Sequence, residues 1–91
     1  MTEVNLSYLT ILENVKIAED FFCISLKTAE DCSELKPGQF LNIYLPCEDR
    51  ILPRPFSIFD ADHSVLKVLY KVVGKGTLYF SKCKPGDSLR V

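Results

Sequence analysis

The sequence predicts an all-β protein, a six-stranded antiparallel Greek-key barrel with one short helix. Three observations predict it. Apolar and polar residues alternate with a period of two, turn residues separate these segments at short intervals, and 91 residues suffice for one domain. Closure is expected because an open sheet of short strands would leave two edges free to pair with other chains.

Three segments, 21–28, 40–45 and 65–73, carry the clearest alternation. Each is expected to form a strand with one face on the core and the other face outward. Proline–glycine turns are predicted before the second of these segments, at 37–38, and near the end of the chain, at 85–86. The predicted inward positions are Phe22, Ile24 and Leu26; Leu41, Ile43 and Leu45; and Leu66, Val68, Tyr70 and Val72.

The remaining elements have weaker patterns. Strands are predicted from about Leu6 to Lys16, from about Arg54 to Asp60 and from Ser88 to Val91, with a helix from Gly76 to Lys82. The segment 60–64 is predicted to be a polar hairpin loop, and its histidine and two aspartates indicate a solvated turn more than a metal site.

Composition excludes several function classes. A net charge of −1 and a pI of about 5.7 provide no field for gathering nucleic acid phosphates. No stretch approaches the roughly 20 apolar residues of a membrane span, and no secretory signal is evident, so a cytoplasmic protein is expected. No serine, cysteine or acid pair is tied by spacing to a general base, which leaves an independent hydrolase unsupported.

The four cysteines, Cys23, Cys32, Cys47 and Cys83, include no C-x-x-C pair. Zinc and iron–sulfur sites usually show closer spacings, so no metal site is predicted from them. Reduced thiols are favoured over disulfides in a cytoplasmic protein.

The segment from Leu52 to Ile58 is the first that points to chemistry. Two prolines make it a poor central strand, since each lacks a ladder donor. Between them lies Arg54, whose planar fork of donors suits a phosphate. The sequence alone leaves a second interpretation open, in which Arg54 pairs with a neighbouring carboxylate on an exposed edge.

The second such segment runs from Leu69 to Thr77, where a strand leads into Gly74-Lys75-Gly76-Thr77 and a helical turn. Backbone amides in such a turn can face an anion, and Thr77 can cap the helix or donate its hydroxyl. The dinucleotide fingerprint is not complete, because its third glycine is missing. A simple glycine turn before a helix remains the alternative.

Together, Arg54-Pro55-Phe56-Ser57, Leu69-Tyr70-Lys71 and Gly74-Lys75-Gly76-Thr77 resemble the flavin-binding barrel of the ferredoxin-reductase superfamily. The sequence is most similar to the electron-transfer subunits of the NAD-dependent, B-type dihydroorotate dehydrogenases. The resemblance covers nearly the whole chain, including the turns at 36–40 and 84–87.

The resemblance implies FAD as the cofactor. Arg54 would bind its pyrophosphate together with the amides of Gly76 and Thr77. Phe56, where the superfamily usually has tyrosine, would pack near the isoalloxazine, and Ser57 would hydrogen-bond near N5. The implied cofactor-binding set is Arg54, Pro55, Phe56, Ser57, Leu69, Tyr70, Lys71, Gly76 and Thr77, with Leu69, Tyr70 and Lys71 acting mainly through their backbones.

Strand parity conflicts with part of this set. It places Arg54 and Phe56 on one face of their strand and Ser57 on the other. Either the strand bends near Pro55, or Ser57 contributes chiefly through its backbone.

The resemblance also implies a larger assembly. Residues 1–91 would be the FAD-binding domain, with NAD-binding and 2Fe–2S domains of the parent subunit beyond Val91 and a separate catalytic dihydroorotate dehydrogenase subunit of pyrimidine biosynthesis as partner. The isolated 91 residues would not turn over. Two alternatives remain: a flavin module of another reductase, such as a sulfide dehydrogenase or hydrogenase subunit, and a flavin-free barrel acting as an interaction module.

Overall fold

The computed structural model describes residues 8–28, 35–47 and 50–91. These residues form six strands and one helix in the predicted order. The elements are β1 (Tyr8–Ala18), β2 (Phe21–Lys27), β3 (Phe40–Cys47), β4 (Arg50–Asp62), β5 (Val65–Lys71), α1 (Lys75–Ser81) and β6 (Ser88–Arg90).

The strands close into an antiparallel barrel in the order β1-β2-β5-β4-β3-β6. Strands β3, β4 and β5 follow one another as hairpins, and β2 lies beside β5 instead of its chain neighbour β3. This is a Greek-key arrangement, and it confirms the predicted fold class. No helix in the described ranges is both long and apolar enough to cross a bilayer.

The core confirms the predicted inward positions wherever side chains are described, although Ser25, predicted to face outward from β2, is also buried. Ile24, Leu26, Leu41 and Ile43 are fully buried, and Leu66, Val68 and Tyr70 point inward from β5. Phe80 of α1 is also fully buried and adds an aromatic ring to the barrel interior. The side chain of Leu45 lies outside the described residues.

Several boundaries differ from those predicted. The polar loop predicted at 60–64 is largely strand, because β4 continues to Asp62, which pairs with Val65. The turn is only His63 and Ser64, and His63 takes a left-handed conformation with φ 52°. Its exposed ring lies 3.5 Å from the Asp62 carboxylate, in a solvated turn as predicted.

The N-terminal strand runs to Ala18, two residues beyond the prediction, and its predicted start at Leu6 lies outside the described residues. Strand β4 begins at Arg50 instead of Arg54. The helix starts at Lys75, one residue before the predicted position.

Strand β4 explains how two prolines fit into a closed barrel. Its first part, 50–57, pairs with β3, and its last part, 58–62, pairs with β5, with a register shift between Ile58 and Asp60. Pro53 and Pro55 therefore lie where β4 has one ladder partner, which is where proline is tolerated.

Candidate functional site

A cleft of about 460 Å³ opens where β4 and β5 separate. The ladder between these strands runs from the hairpin turn to the pair Ile58 and Val68. Beyond that pair, residues 54–57 of β4 pair only with β3, and residues 69–71 of β5 pair only with β2. The cleft lies between the two diverging strand edges and the start of α1, and its lining residues are Phe40, Arg54, Pro55, Phe56, Ser57, Leu69, Tyr70, Lys71, Val73 and Thr77.

The structure brings the sequence-predicted site residues together at this cleft, with one exception. Gly76 is not among the lining residues, although it directly precedes Thr77 in α1. Phe40 and Val73 line the cleft but were not in the predicted set. Phe40 is found there because it pairs with Ser57 across the β3–β4 ladder. No local sequence motif predicts this register.

Arg54 is exposed at the edge of the cleft. Among the described residues, no carboxylate lies within ion-pair distance of its guanidinium. The alternative of a structural ion pair is therefore not seen in the described part of the chain. The guanidinium is available for an anion in the cleft, which it can hold through two parallel hydrogen bonds.

The conflict over strand parity is resolved by the position of the cleft. Phe56 is 8% exposed and faces the core, where its ring contacts Phe80 with centroids 5.2 Å apart, whereas Ser57 is exposed on the other face. Both line the cleft because it opens at the edge of β4, where residues from the two faces meet. Phe56 thus forms part of the floor, and Ser57 part of the rim.

On the β5 side, the inward and outward residues contribute differently. Leu69 and Lys71 point outward, and the Lys71 ammonium lies 5.7 Å from the centre of the Phe21 ring. Tyr70 points inward and donates its hydroxyl proton to Asn14 Oδ1 at 2.8 Å. Desolvation by burial raises the pKa of Tyr70 well above its usual value, so its phenol stays neutral. The hydroxyl proton is used in the bond to Asn14 and is not free for donation to a ligand.

The third wall is the loop before α1. Gly74 precedes the helix with φ 119°, a conformation that side-chain-bearing residues rarely adopt. Of the two roles left open for Thr77, capping the helix is not the one observed, because α1 begins at Lys75 with Gly74 as its cap and Thr77 lies inside the first turn. Instead, Thr77 Oγ1 accepts a hydrogen bond of 2.7 Å from the Val73 amide and fixes the loop.

The amides of Lys75, Gly76 and Thr77 at the start of α1 precede the first intrahelical hydrogen bond. Leu78 donates that bond to the Gly74 carbonyl at 3.0 Å, so the amides of Gly76 and Thr77 have no acceptor within the helix. Arg54 and the start of α1 therefore place hydrogen-bond donors beside this cleft.

A second cleft of about 490 Å³ lies near the single pair that joins β3 and β6, and it contains none of the predicted residues. Its guanidinium, that of Arg90, is stacked 4.6 Å from the centre of the Tyr44 ring. The cleft between β4 and β5 is the stronger candidate, because no aromatic ring among the described residues stacks on Arg54 and two strand edges diverge beside it.

Comparison with known proteins identifies the family of the chain. Residues 8–91 match the model of the family described as the oxidoreductase FAD-binding domain. The chain belongs to this family. The predicted relation to flavin-binding reductase barrels, with FAD as the cofactor, is confirmed.

The relatives found by sequence are larger proteins. The chain is 38% identical over 81 residues to the electron transfer subunit of dihydroorotate dehydrogenase B (NAD(+)) of Clostridium acetobutylicum, covering 89% of this chain and 32% of the relative. It is 35% identical over 83 residues to the same subunit of Streptococcus mutans, again covering 89% and 32%. The chain spans about a third of the length of these relatives.

Two solved structures share the barrel. An NADH-dependent reduced ferredoxin-NADP oxidoreductase aligns with a TM-score of 0.72 and 30% identity, over 98% of this chain and 33% of that one. The flavohemoglobin from Malassezia yamatoensis, solved with bound FAD and heme, aligns with a TM-score of 0.77 over 91% of this chain and 23% of that one. At 19% identity, the second likeness shows the fold alone.

Proposed function

We propose that this chain is the FAD-binding module of an oxidoreductase electron-transfer subunit, and that FAD lies in the cleft between β4 and β5. The observation that carries the proposal is the position of Arg54. In a family of FAD-binding domains, its guanidinium stands without an ionic partner in the described residues, at a cleft formed by two diverging strand edges and the start of α1.

In this proposal, the diphosphate is held by Arg54 from one side and by the amides of Gly76 and Thr77 from the other. The guanidinium supplies charge and a planar pair of donors, and the two amides supply directed donors with no competing intrahelical acceptor. The chain carries a net charge of −1, so attraction of this anion depends on these local groups.

The flavin ring is proposed to lie along the strand edges. Leu69 gives one apolar wall, the residual exposed surface of Phe56 gives the floor, and the Ser57 hydroxyl provides a polar group at the rim. When bound, FAD supplies hydride exchange at its N5 atom and transfer of single electrons. The contribution of the chain is to orient the ring, to keep water from one side of it, and to place donors near its polar edge.

We further propose that the parent assembly is a B-type dihydroorotate dehydrogenase of pyrimidine biosynthesis, in which electrons pass between flavin, an iron–sulfur cluster and NAD. This is supported by relatives of that name that align with 89% of the chain. The partners would then be the NAD-binding and iron–sulfur domains of the same subunit and the catalytic subunit. A cytoplasmic location belongs to the same proposal and is supported by the free thiols of Cys23 and Cys83.

A second candidate is the flavin module of a ferredoxin-NADP oxidoreductase. It is favoured by the solved structure that aligns with 98% of the chain at 30% identity. Both candidates require the same FAD site, and they differ in the protein that exchanges electrons with it. Co-purification with a catalytic dihydroorotate dehydrogenase subunit from the source cells would favour the first.

The FAD site is tested by titrating the purified protein with FAD and with riboflavin, which has the same ring and ribityl chain but no diphosphate. We expect Arg54→Ala to weaken FAD binding by about 10–100-fold, since a charge-assisted hydrogen bond contributes about 1.5–3 kcal/mol. Riboflavin binding should change less than about twofold. Quenching of flavin fluorescence measures both dissociation constants.

Arg90→Ala is the matched control, because it removes an arginine from the other cleft. It should leave both dissociation constants near their wild-type values. Equal losses of FAD and riboflavin in Arg54→Ala would remove Arg54 from the proposed role, and no binding of FAD by the wild-type protein would overturn the site.

A further inference from the structure

Asn14 of β1 does not line the cleft, yet it contacts two of the elements that form it. Its side-chain amide Nδ2 donates to the Phe80 carbonyl at 2.9 Å and to the Cys83 carbonyl at 3.1 Å. Its Oδ1 accepts the Tyr70 hydroxyl proton at 2.8 Å. The nitrogen and the oxygen of the Asn14 side-chain amide thus both form hydrogen bonds to other parts of the barrel.

The first of these elements, α1, needs such support. A helix of seven residues is too short to be stable by itself. The Phe80 ring anchors it in the core, 4.5 Å from the Tyr70 ring between centroids. At the end of the helix, the Phe80 carbonyl accepts both the Cys83 amide at 3.1 Å and the Asn14 side chain, so Asn14 binds the last turn of α1 to the barrel wall.

The second element is the end of β5. Tyr70 lies between Leu69 and Lys71, and all three line the cleft. The Tyr70 ring packs between Phe22, at 5.6 Å, and Phe80, and its hydroxyl is held by Asn14. Asn14 therefore connects the strand on one side of the cleft with the helix whose first turn contributes Thr77 on another side.

We propose that Asn14 is a positioning residue that sets the distance between α1 and β5, and through it the affinity for the diphosphate of FAD. This inference rests on the proposed function. The flavin ring is assigned to the edges of β4 and β5, whereas the diphosphate depends on the amides at the start of α1. A helix released at its far end should shift those amides and weaken the diphosphate contact while the ring contact remains.

The test is Asn14→Asp. Aspartate keeps the size of the side chain and an acceptor for Tyr70. It removes the hydrogen bonds to the carbonyl of Phe80 in α1 and to that of Cys83 just after α1, and it places a carboxylate beside these two oxygens. We expect the dissociation constant of FAD to rise about tenfold and that of riboflavin to change less than about twofold. Hydrogen exchange of the Leu78 amide, which closes the first turn of α1, should become faster without any ligand.

Thr28→Val is the matched control, because it removes a part-buried side-chain hydrogen bond, that of Thr28 to the Ser64 carbonyl, away from the cleft and from Asn14. It should lower stability while the ratio of FAD to riboflavin affinity stays at the wild-type value. If Asn14→Asp does not fold, Asn14→Ala replaces it, with the same expected change in the ratio and no buried charge.

The ratio separates the possible outcomes. A wild-type ratio in a folded Asn14 variant, together with a changed ratio in Arg54→Ala, would overturn the positioning role and leave the FAD site intact. No binding of FAD by the wild-type protein would overturn the FAD site itself, and this inference with it.

Discussion

Tyr70 shows, for a single residue, what the alternation of side chains along a strand predicts and what it does not. Its inward direction follows from the alternation in β5 and was predicted. Its hydrogen-bond partner was not, because Asn14 lies 56 positions earlier in the chain and carries no motif. Local pattern assigns a side chain to a face, whereas the partner on that face depends on the register of strands far apart in sequence.

The raised pKa of Tyr70 gives a prediction for alkaline unfolding. Below the ordinary tyrosine pKa of 10.0, the phenol is neutral in both folded and unfolded chains, and its contribution to stability is constant. Above it, the unfolded chain releases the proton while the folded chain keeps it, so the free energy of unfolding should fall as pH rises from 10 toward the raised value. The pKa of Cys83 is also raised, from 9.0, and acts in the same direction.

Urea unfolding at a series of pH values from 8 to 11 measures this effect. In the Cys83→Ala protein, the free energy of unfolding should fall by up to about 1.4 kcal/mol per pH unit above pH 10. Adding Tyr70→Phe should remove this fall. Tyr8→Phe, which changes an exposed phenol, should keep that slope. Identical slopes in Tyr70→Phe and its parent would show that the buried phenol does not titrate on unfolding.

The loop between β5 and α1 shows the limits of prediction at the scale of one element. The sequence Gly74-Lys75-Gly76-Thr77 correctly predicts a turn into a helix, but it leaves open whether Thr77 caps the helix or donates its hydroxyl. In the structure Gly74 is the cap, and the Thr77 hydroxyl, in the first turn, accepts the Val73 amide. Gly74 has a positive φ, so the position of the cap favours glycine.

Gly74→Ala is therefore expected to destabilise the protein by about 1–2 kcal/mol, because an L-residue is strained at this φ although no atom lies within 4 Å of the added Cβ. Gly76→Ala is the contrasting change inside α1, where alanine favours the helix, and it should stabilise by up to about 1 kcal/mol. Chemical unfolding of the two variants checks both signs. A neutral Gly74→Ala would mean that the loop adjusts without strain.

At the scale of the whole molecule, the fold was predictable and the cleft was only partly so. Alternation and turn spacing predict six strands, and the need to cover sheet edges predicts closure. The place where the barrel opens depends on the registers of β4 with β3 and with β5, which change partners at Ile58. The proline pair marked this part of β4 as unsuited to pairing on both sides, and that was the sequence signal for the cleft.

A ligand that bridges the two strand edges should stabilise the whole barrel, because it binds the folded chain and not the unfolded one. At a free FAD concentration 100 times the dissociation constant, the gain is about 2.7 kcal/mol, which for a domain of this size raises the unfolding midpoint by about 10–20 °C. Differential scanning fluorimetry or calorimetry measures the shift. Arg54→Ala at the same FAD concentration should show a clearly smaller rise, whereas Arg90→Ala should match the wild type. A midpoint that does not move with FAD would show that neither edge of the cleft holds the cofactor.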